Sequence, residues 1–226
     1  MKVITILISL LIVLPINCKT FGKYSFLHGK PKSNPIVETT NDQLIKDLLL
    51  YHKVIRDFHG LGPLEYSETL KEYARLKAML VAFHDGSSHA IGEKLHLGEN
   101  IWFEPTETQT SAKTVINGWY YTQLNNWNYS DPKVLPENRN FAQIVWKTTT
   151  QLGCGQAYSA RTKPGTYTVC YYFPAGLTPS QESINVPPPT SLSPSSSLLS
   201  SSTSPTINPQ NLETLIEGMV NDLNQN

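Results

Sequence analysis

Residues 152–173 read LGCGQAYSARTKPGTYTVCYYF, and this stretch decides the fold. Leu152 to Tyr158 and Tyr167 to Phe173 are two strand-length runs, and Lys163-Pro164-Gly165 between them is a turn signal. Together they predict a β-hairpin. Each run carries one cysteine, Cys154 and Cys170. The third cysteine, Cys18, closes an N-terminal targeting segment, so the mature chain keeps two. An even pair in a secreted chain reads as one disulfide, the alternative being two buried free thiols. A bridge here closes a short loop, worth about 3 kcal/mol in the chain-entropy model.

Working back from the hairpin, Phe141 to Lys147 is rich in aromatic and branched residues and reads as another strand, following the break at Pro136. Asn128-Tyr129-Ser130-Asp131-Pro132 marks a loop, and Ala112 to about Asn125 predicts a helix with Val115, Trp119 and Tyr120 buried. Two further helices precede it. Thr40 opens the first, with Gln43 three residues on as a capping box requires. Leu44, Leu48, Tyr51, His52, Ile55 and Phe58 recur at helical spacing before Gly60, Gly62 and Pro63 stop it. Ser67 caps the second, where Leu70, Ala74, Ala78, Val81 and Ala82 lie on or near one face and Asp85-Gly86 ends it. Three helices followed by strands give an α+β layered architecture.

The ends have a different character. Lys2 followed by the apolar run Val3 to Ile16 is too short to span a bilayer and reads as a secretory signal over residues 1–18. A polar lead-in occupies 19–39, and the folded domain is expected over 40–180. Residues 181–207 are rich in Pro and Ser, which cannot build a core, and are expected to be a disordered linker. Residues 208–226 predict an amphipathic helix with Leu212, Leu215, Ile216, Met219, Val220 and Leu223 as its stripe, docking either on its own domain or on a partner. With 18 Lys plus Arg against 18 Asp plus Glu, the formal charge is zero, and nothing favours nucleic acid as a partner. At 39% hydrophobic residues the chain can bury one core, and no later segment is apolar enough for a transmembrane span.

Four stretches resemble the cysteine-rich secretory protein, antigen five and pathogenesis-related (CAP) family. Gly98-Glu99-Asn100-Ile101-Trp102 looks like its GEN motif, and Phe141-Ala142-Gln143-Ile144-Val145-Trp146-Lys147 resembles its HFTQVVWK signature. Leu152-Gly153-Cys154-Gly155-Gln156-Ala157 resembles the GCG strand, and Val169-Cys170-Tyr171-Tyr172-Phe173-Pro174-Ala175-Gly176 the VCYYPAGN ending. The resemblance covers roughly residues 40–177. It implies a three-layer α-β-α sandwich with a small antiparallel sheet, a Cys154–Cys170 disulfide, and similarity to venom allergen-like proteins of parasitic worms and to Golgi-associated plant-type members.

The family's central cleft holds two His and two Glu. By resemblance Glu99 is the Glu of GEN, and His89, ten residues earlier, is the best match to the first His. The other two positions depart from the pattern: Asn140 stands where the signature begins with His, and Gln123 is the nearest polar group to the second Glu position after Trp119. Zinc favours imidazole, thiolate and carboxylate ligands, so one imidazole beside an Asn amide makes a poor site. Loss of the second acid removes a candidate general base. A metal site would need His84 or His96 as a substitute; otherwise His89 and Glu99 read as a structural hydrogen-bonded pair.

No Ser elbow, HExxH pair or phosphate-cradling glycine loop is present, and no cofactor is called for. The expected function is that of a secreted, non-enzymatic binding protein, for which the resemblance implies a sterol, a fatty acid, or a host or other extracellular protein as partner. The alternative is a weak metal-dependent hydrolase, and Asn140 is the residue that discriminates them. Trp119 and Trp146 are expected in the core, whereas Trp127 and Tyr129 lie in a loop open to packing or to a partner. Asn128-Tyr129-Ser130 is a glycosylation sequon.

Overall fold

The computed structural model describes residues 36–86, 95–106, 108–189 and 209–225. In chain order the elements are β1 (Ile36–Glu38), α1 (Asp42–Phe58), β2 (Glu65–Tyr66), α2 (Glu68–Phe83) and β3 (Gly98–Glu104). Next comes α3, built of Ala112–Ile116, a π turn Asn117–Tyr121 and Thr122–Leu124. It is followed by α4 (Arg139–Ile144), β4 (Gln151–Ser159), β5 (Gly165–Phe173), α5 (Glu182–Asn185) and α6 (Pro209–Asn224). The signal segment 1–18, the lead-in as far as residue 35, His89 and most of the Pro/Ser stretch lie outside the described residues. Among the described residues no helix is long and apolar enough to cross a membrane.

β4 and β5 pair antiparallel from Gln151↔Phe173 to Ser159↔Gly165, as the turn signal requires. Both are buried along nearly their whole length on both faces. A strand covered on both faces needs a layer on each side, which makes the fold a three-layer sandwich. The sheet order is β1-β4-β5-β3, with two residues of β2 running parallel to β4 and all other pairings antiparallel.

One face is covered by α2. Ala74, Ala78, Val81 and Ala82 pack on Ala157, Tyr167, Val169 and Tyr171. The approach is close because β4 presents glycines: a Cβ at Gly153 or Gly155 would overlap the α2 backbone at Leu70–Lys71 or Ala74–Arg75. The other face carries Leu152, Cys154, Cys170 and Tyr172 against α1, α3 and α4, including the fully buried Leu48, Ile55, Trp119 and Phe141. Cys154 and Cys170 sit opposite one another in the ladder and are disulfide-bonded, with Cα atoms 4.1 Å apart.

Several local expectations are corrected. Phe141 to Lys147 is not a strand, since Arg139–Ile144 is helical. Its aromatic and branched composition reflects burial on all sides rather than a pleat. The N-cap of α1 is Asn41, whose side chain accepts the Leu44 N–H at 2.9 Å, instead of Thr40. Thr40 Oγ1 accepts the Gln156 N–H at 2.8 Å, and Gln43 turns outward to donate to Asp47. Part of the lead-in forms β1 on β4. The packed domain also continues past Gln181: Val186 is buried, and the Asn185 carbonyl and side chain accept the N–H groups of Lys147 and Thr148. Helix α6 docks on its own domain, burying Leu212, Ile216 and Val220 against the core that contains Tyr51, Val54 and Tyr121. Lys113 and Glu217 add an ion pair at 2.6 Å.

Candidate functional site

The start of β3 organises the candidate site. Gly98 backs onto the buried Gln143 amide so closely that a Cβ would overlap it. The next two side chains point to opposite faces of the strand, as alternation dictates. Glu99 faces α2 and Asn100 faces the α1/α4 side. Ile101 then gives its carbonyl to Trp119 Nε1 at 3.2 Å, and Trp102 lies on Gly118 of the π turn, where a Cβ would strike the ring.

On the α2 side, Glu99 Oε2 is 3.1 Å from the ammonium of Lys77, a lysine only 1% exposed. Opposite Glu99 in the β3–β5 ladder is Tyr171. Burial, and then the neighbouring Glu99 charge, push the Tyr171 phenol well above its ordinary range, so it stays neutral. Lys77 escaped the sequence reading, although its spacing carried the signal. It lies three residues after Ala74 and four before Val81, within an otherwise apolar stripe where a lysine needs a buried partner.

On the opposite side a hydrogen-bonded chain crosses the domain. His52 Nδ1 is 2.7 Å from the Leu48 carbonyl and its Nε2 is 2.9 Å from the Tyr172 hydroxyl. A carbonyl can only accept, so Nδ1 carries the proton and Nε2 accepts from Tyr172. Asn100 Nδ2 donates to the Tyr172 oxygen at 3.2 Å and to the Asn140 carbonyl at 3.1 Å. The Asn140 N–H in turn donates to Gln123 Oε1 at 3.0 Å, and the Phe141 N–H does so at 3.2 Å. Gln123 therefore caps α4 from 17 residues away. A second pair repeats the arrangement: His59 Nδ1 donates to the Pro187 carbonyl at 2.7 Å, and Nε2 accepts from Tyr120 at 2.8 Å. Burial draws both imidazoles down to about 4, so both are neutral near pH 7.

The C-terminal end of α4 is held by Arg56. Its guanidinium donates to the carbonyls of Ile144 (3.0 Å), Trp146 (2.9 Å) and Thr149 (3.1 Å), while Nε reaches Gly62 (2.8 Å). Burial lowers this group to about 10, still protonated near neutrality.

The four sequence-identified cleft positions thus divide. Gln123 and Asn140 meet each other, and Glu99 meets Lys77 and Tyr171 instead. His89 lies outside the described residues. His84 is exposed at the C-cap of α2 with its ring against Phe83, and His96 is exposed in a left-handed conformation with φ 52°. Among the described residues no group of three His, Cys, Asp or Glu side chains is placed to hold a metal. The donors that are described do not fit a divalent ion: Glu99 already faces an ammonium, and Gln123 Oε1 is spent on two backbone N–H groups. Trp127 is buried against Phe141, which removes it as a partner-binding side chain, whereas Tyr129 and Asn128 are exposed.

The outer face of α2 carries a different feature. Tyr73, Leu76, Leu80 and Phe83 are each at least 40% exposed and recur at helical spacing. Tyr73, Leu76, Met79 and Leu80 line a groove of 370 Å³ together with the Lys77 side chain.

Comparison with known proteins agrees with this architecture. The chain is 27% identical to the human Golgi-associated plant pathogenesis-related protein 1, over 62% of this chain and 88% of that protein. It is 28% identical to the secreted protein RBT4 of Candida albicans, over 64% of this chain and 38% of that protein. The chain spans less than half the length of the fungal relatives it matches. Among solved structures, BmVAL-1 superposes with a TM-score of 0.52 at 18% identity, over 62% of this chain and 80% of that one, a likeness of fold. The model of the CAP cysteine-rich secretory protein family matches residues 49–172, more than half of the sequence, and the chain belongs to that family.

Proposed function

We propose that this chain is a secreted, non-enzymatic binding protein that takes a small apolar ligand, a sterol or a fatty acid, on the outer face of α2. The observation that carries the proposal is the groove beside Tyr73, Leu76, Met79 and Leu80, in which Lys77 is the one charged side chain among the described residues. Its 370 Å³ falls within the range of about 300–1,000 Å³ common to small-ligand sites. An apolar stripe on the solvent side of a helix whose other face is already packed has no structural role in the core, and such patches mark interaction sites.

Hydrolysis is the competing function, and the chemistry of the cleft argues against it. A hydrolase needs an acid or base free to move a proton. Glu99 is ion-paired, and Gln123 and the Asn140 backbone are committed to capping α4. Secretion, and a glycan on the exposed Asn128, belong to the same proposal.

The test is to express the full chain in a eukaryotic secretory host and to analyse the protein recovered from the medium by mass spectrometry after lipid extraction. A stoichiometric sterol or fatty acid, with glycan mass on the Asn128 peptide, is the expected result. Protein retained in the cell, or secreted with no lipid and unable to take up added sterol or fatty acid, overturns the proposal and leaves a protein partner as the ligand.

A further inference from the structure

The exposed stripe of α2 does not stop at the groove. Phe83 lies three residues past Leu80, on the same side of the helix, and is 48% exposed. From Tyr73 to Phe83 the stripe runs about 15 Å at the helical rise. At its far end the turn between β4 and β5 sets the guanidinium of Arg161 over the Phe83 ring, 4.5 Å from the centroid. Arg161 is half-buried there, and its Nε is buried without an acceptor. Among the described residues no carboxylate forms an ion pair with it. Asp85, two residues beyond Phe83, accepts the backbone N–H of Lys163 at 3.2 Å. The other cations of α2 are answered: Lys71 pairs with Glu68, Arg75 with Glu72, and Lys77 with Glu99. The positive charge that no described carboxylate neutralises therefore lies at the Phe83 end of the stripe.

We infer that Arg161 selects the ligand of the α2 face: a free long-chain fatty acid, its tail along Leu80, Leu76 and Tyr73 and its carboxylate on the guanidinium. The inference rests on the reading of that face as a lipid site and narrows it to one head group. A guanidinium is a planar fork that takes both oxygens of a carboxylate, whereas the hydroxyl of a sterol offers it a single neutral oxygen. The pairing gains strength where water is partly excluded, as it is against the Phe83 ring. Lys163, in the same turn, adds a second positive charge, its ammonium 4.1 Å from the centroid of Phe103. At 370 Å³ the groove is near the lower end of the volumes of small-ligand sites, which suits one acyl chain rather than a two-chain lipid.

The experiment uses the full chain, secreted and stripped of lipid. A bound fluorescent fatty acid is displaced by hexadecanoic acid, hexadecanol or cholesterol at pH 8, where a carboxylic acid is ionised. The proteins are the wild type, Arg161→Met and Arg161→Lys. Methionine keeps an unbranched stem against Phe83 and removes the charge; lysine keeps the charge and loses the fork. The wild type should bind the acid more tightly than the alcohol or cholesterol. Arg161→Met should lower the ratio of acid to alcohol affinity at least about tenfold, the strength of a hydrogen bond to a charged group. Arg161→Lys should recover part of that ratio. A wild type that binds acid and alcohol alike or favours cholesterol, or a ratio that Arg161→Met and Arg161→Lys leave unchanged, overturns the inference while the α2 face remains a lipid site. Failure of the wild type to bind the fluorescent fatty acid or any of the three lipids overturns the lipid reading itself, and this inference with it.

Discussion

Acidification should weaken this fold through His52 and His59, and the size of the effect follows from their environment. Both rings are buried, accept a tyrosine hydroxyl at Nε2 and have no carboxylate partner among the described residues to favour the imidazolium. In the unfolded chain each titrates near 6.5; in the fold burial holds each near 4. Below pH 6.5 the unfolded state binds protons that the folded state refuses, so stability is complete above that value and is lost as pH falls toward 4. Linkage gives a slope of about 1 kcal/mol per pH unit for each ring near pH 5.5, and a loss of about 2–3 kcal/mol each by pH 4.5. Two rings together remove about 5 kcal/mol, a large share of the stability of an ordinary domain, about 5–15 kcal/mol. The assay is urea unfolding at half-unit intervals from pH 7 to 4.5, on the wild type and on His52→Asn. The wild-type slope should be near twice that of the variant, whatever offset the substitution imposes at pH 7. A stability that is flat across this window, or a slope unchanged in His52→Asn, refutes the assignment of two neutral buried imidazoles.

Gln123→Ala should uncap α4, leaving the N–H groups of Asn140 and Phe141 without their acceptor, at a cost of about 1–2 kcal/mol in chemical denaturation; an unchanged midpoint would show that the cap is dispensable. Ending the chain at Pro189 removes α6 and exposes the surface that covers Leu212, Ile216 and Val220. The truncated domain should still fold, because both sheet faces keep their layers. Its Tm should be lower by several degrees, since each kcal/mol is worth about 2–4 °C at this size; an identical Tm would mean that α6 adds nothing in solution.

The hairpin was legible because its turn signal is local: Cys154 and Cys170 fall one on each run flanking Lys163-Pro164-Gly165, and the register that sets them opposite each other is visible only in the structure. Helices α1 and α2 were legible from apolar spacing. What escaped depended on distant partners. Helix α4 is specified by an amide 17 residues upstream at its start and by the Arg56 guanidinium at its end, and neither leaves a mark within Phe141 to Lys147. The N-cap of α1 moved from Thr40 to Asn41 because Thr40 is needed by Gln156, a residue 116 positions away. Glu99 was identified from its motif, but its partner was not, since Lys77 reads as one more polar helix residue until its place on the buried stripe is noticed. Asn100 is the hub of the cross-domain hydrogen bonds, a role visible only once β3, β5 and α4 are brought together.

The most direct measurement is an equilibrium titration of a fluorescent sterol or fatty acid into the full chain, beside the Leu76→Asp/Leu80→Asp variant. Both leucines are at least 40% exposed, so the variant should fold normally while charging the groove. One saturable site in the wild type, weakened at least about tenfold in the variant, is the expected result; tenfold corresponds to about 1.4 kcal/mol, less than the cost of placing two carboxylates against a bound apolar surface. Absence of saturable binding in the wild type, or binding that the two aspartates leave unchanged, would contradict the assignment of the α2 face as the ligand site.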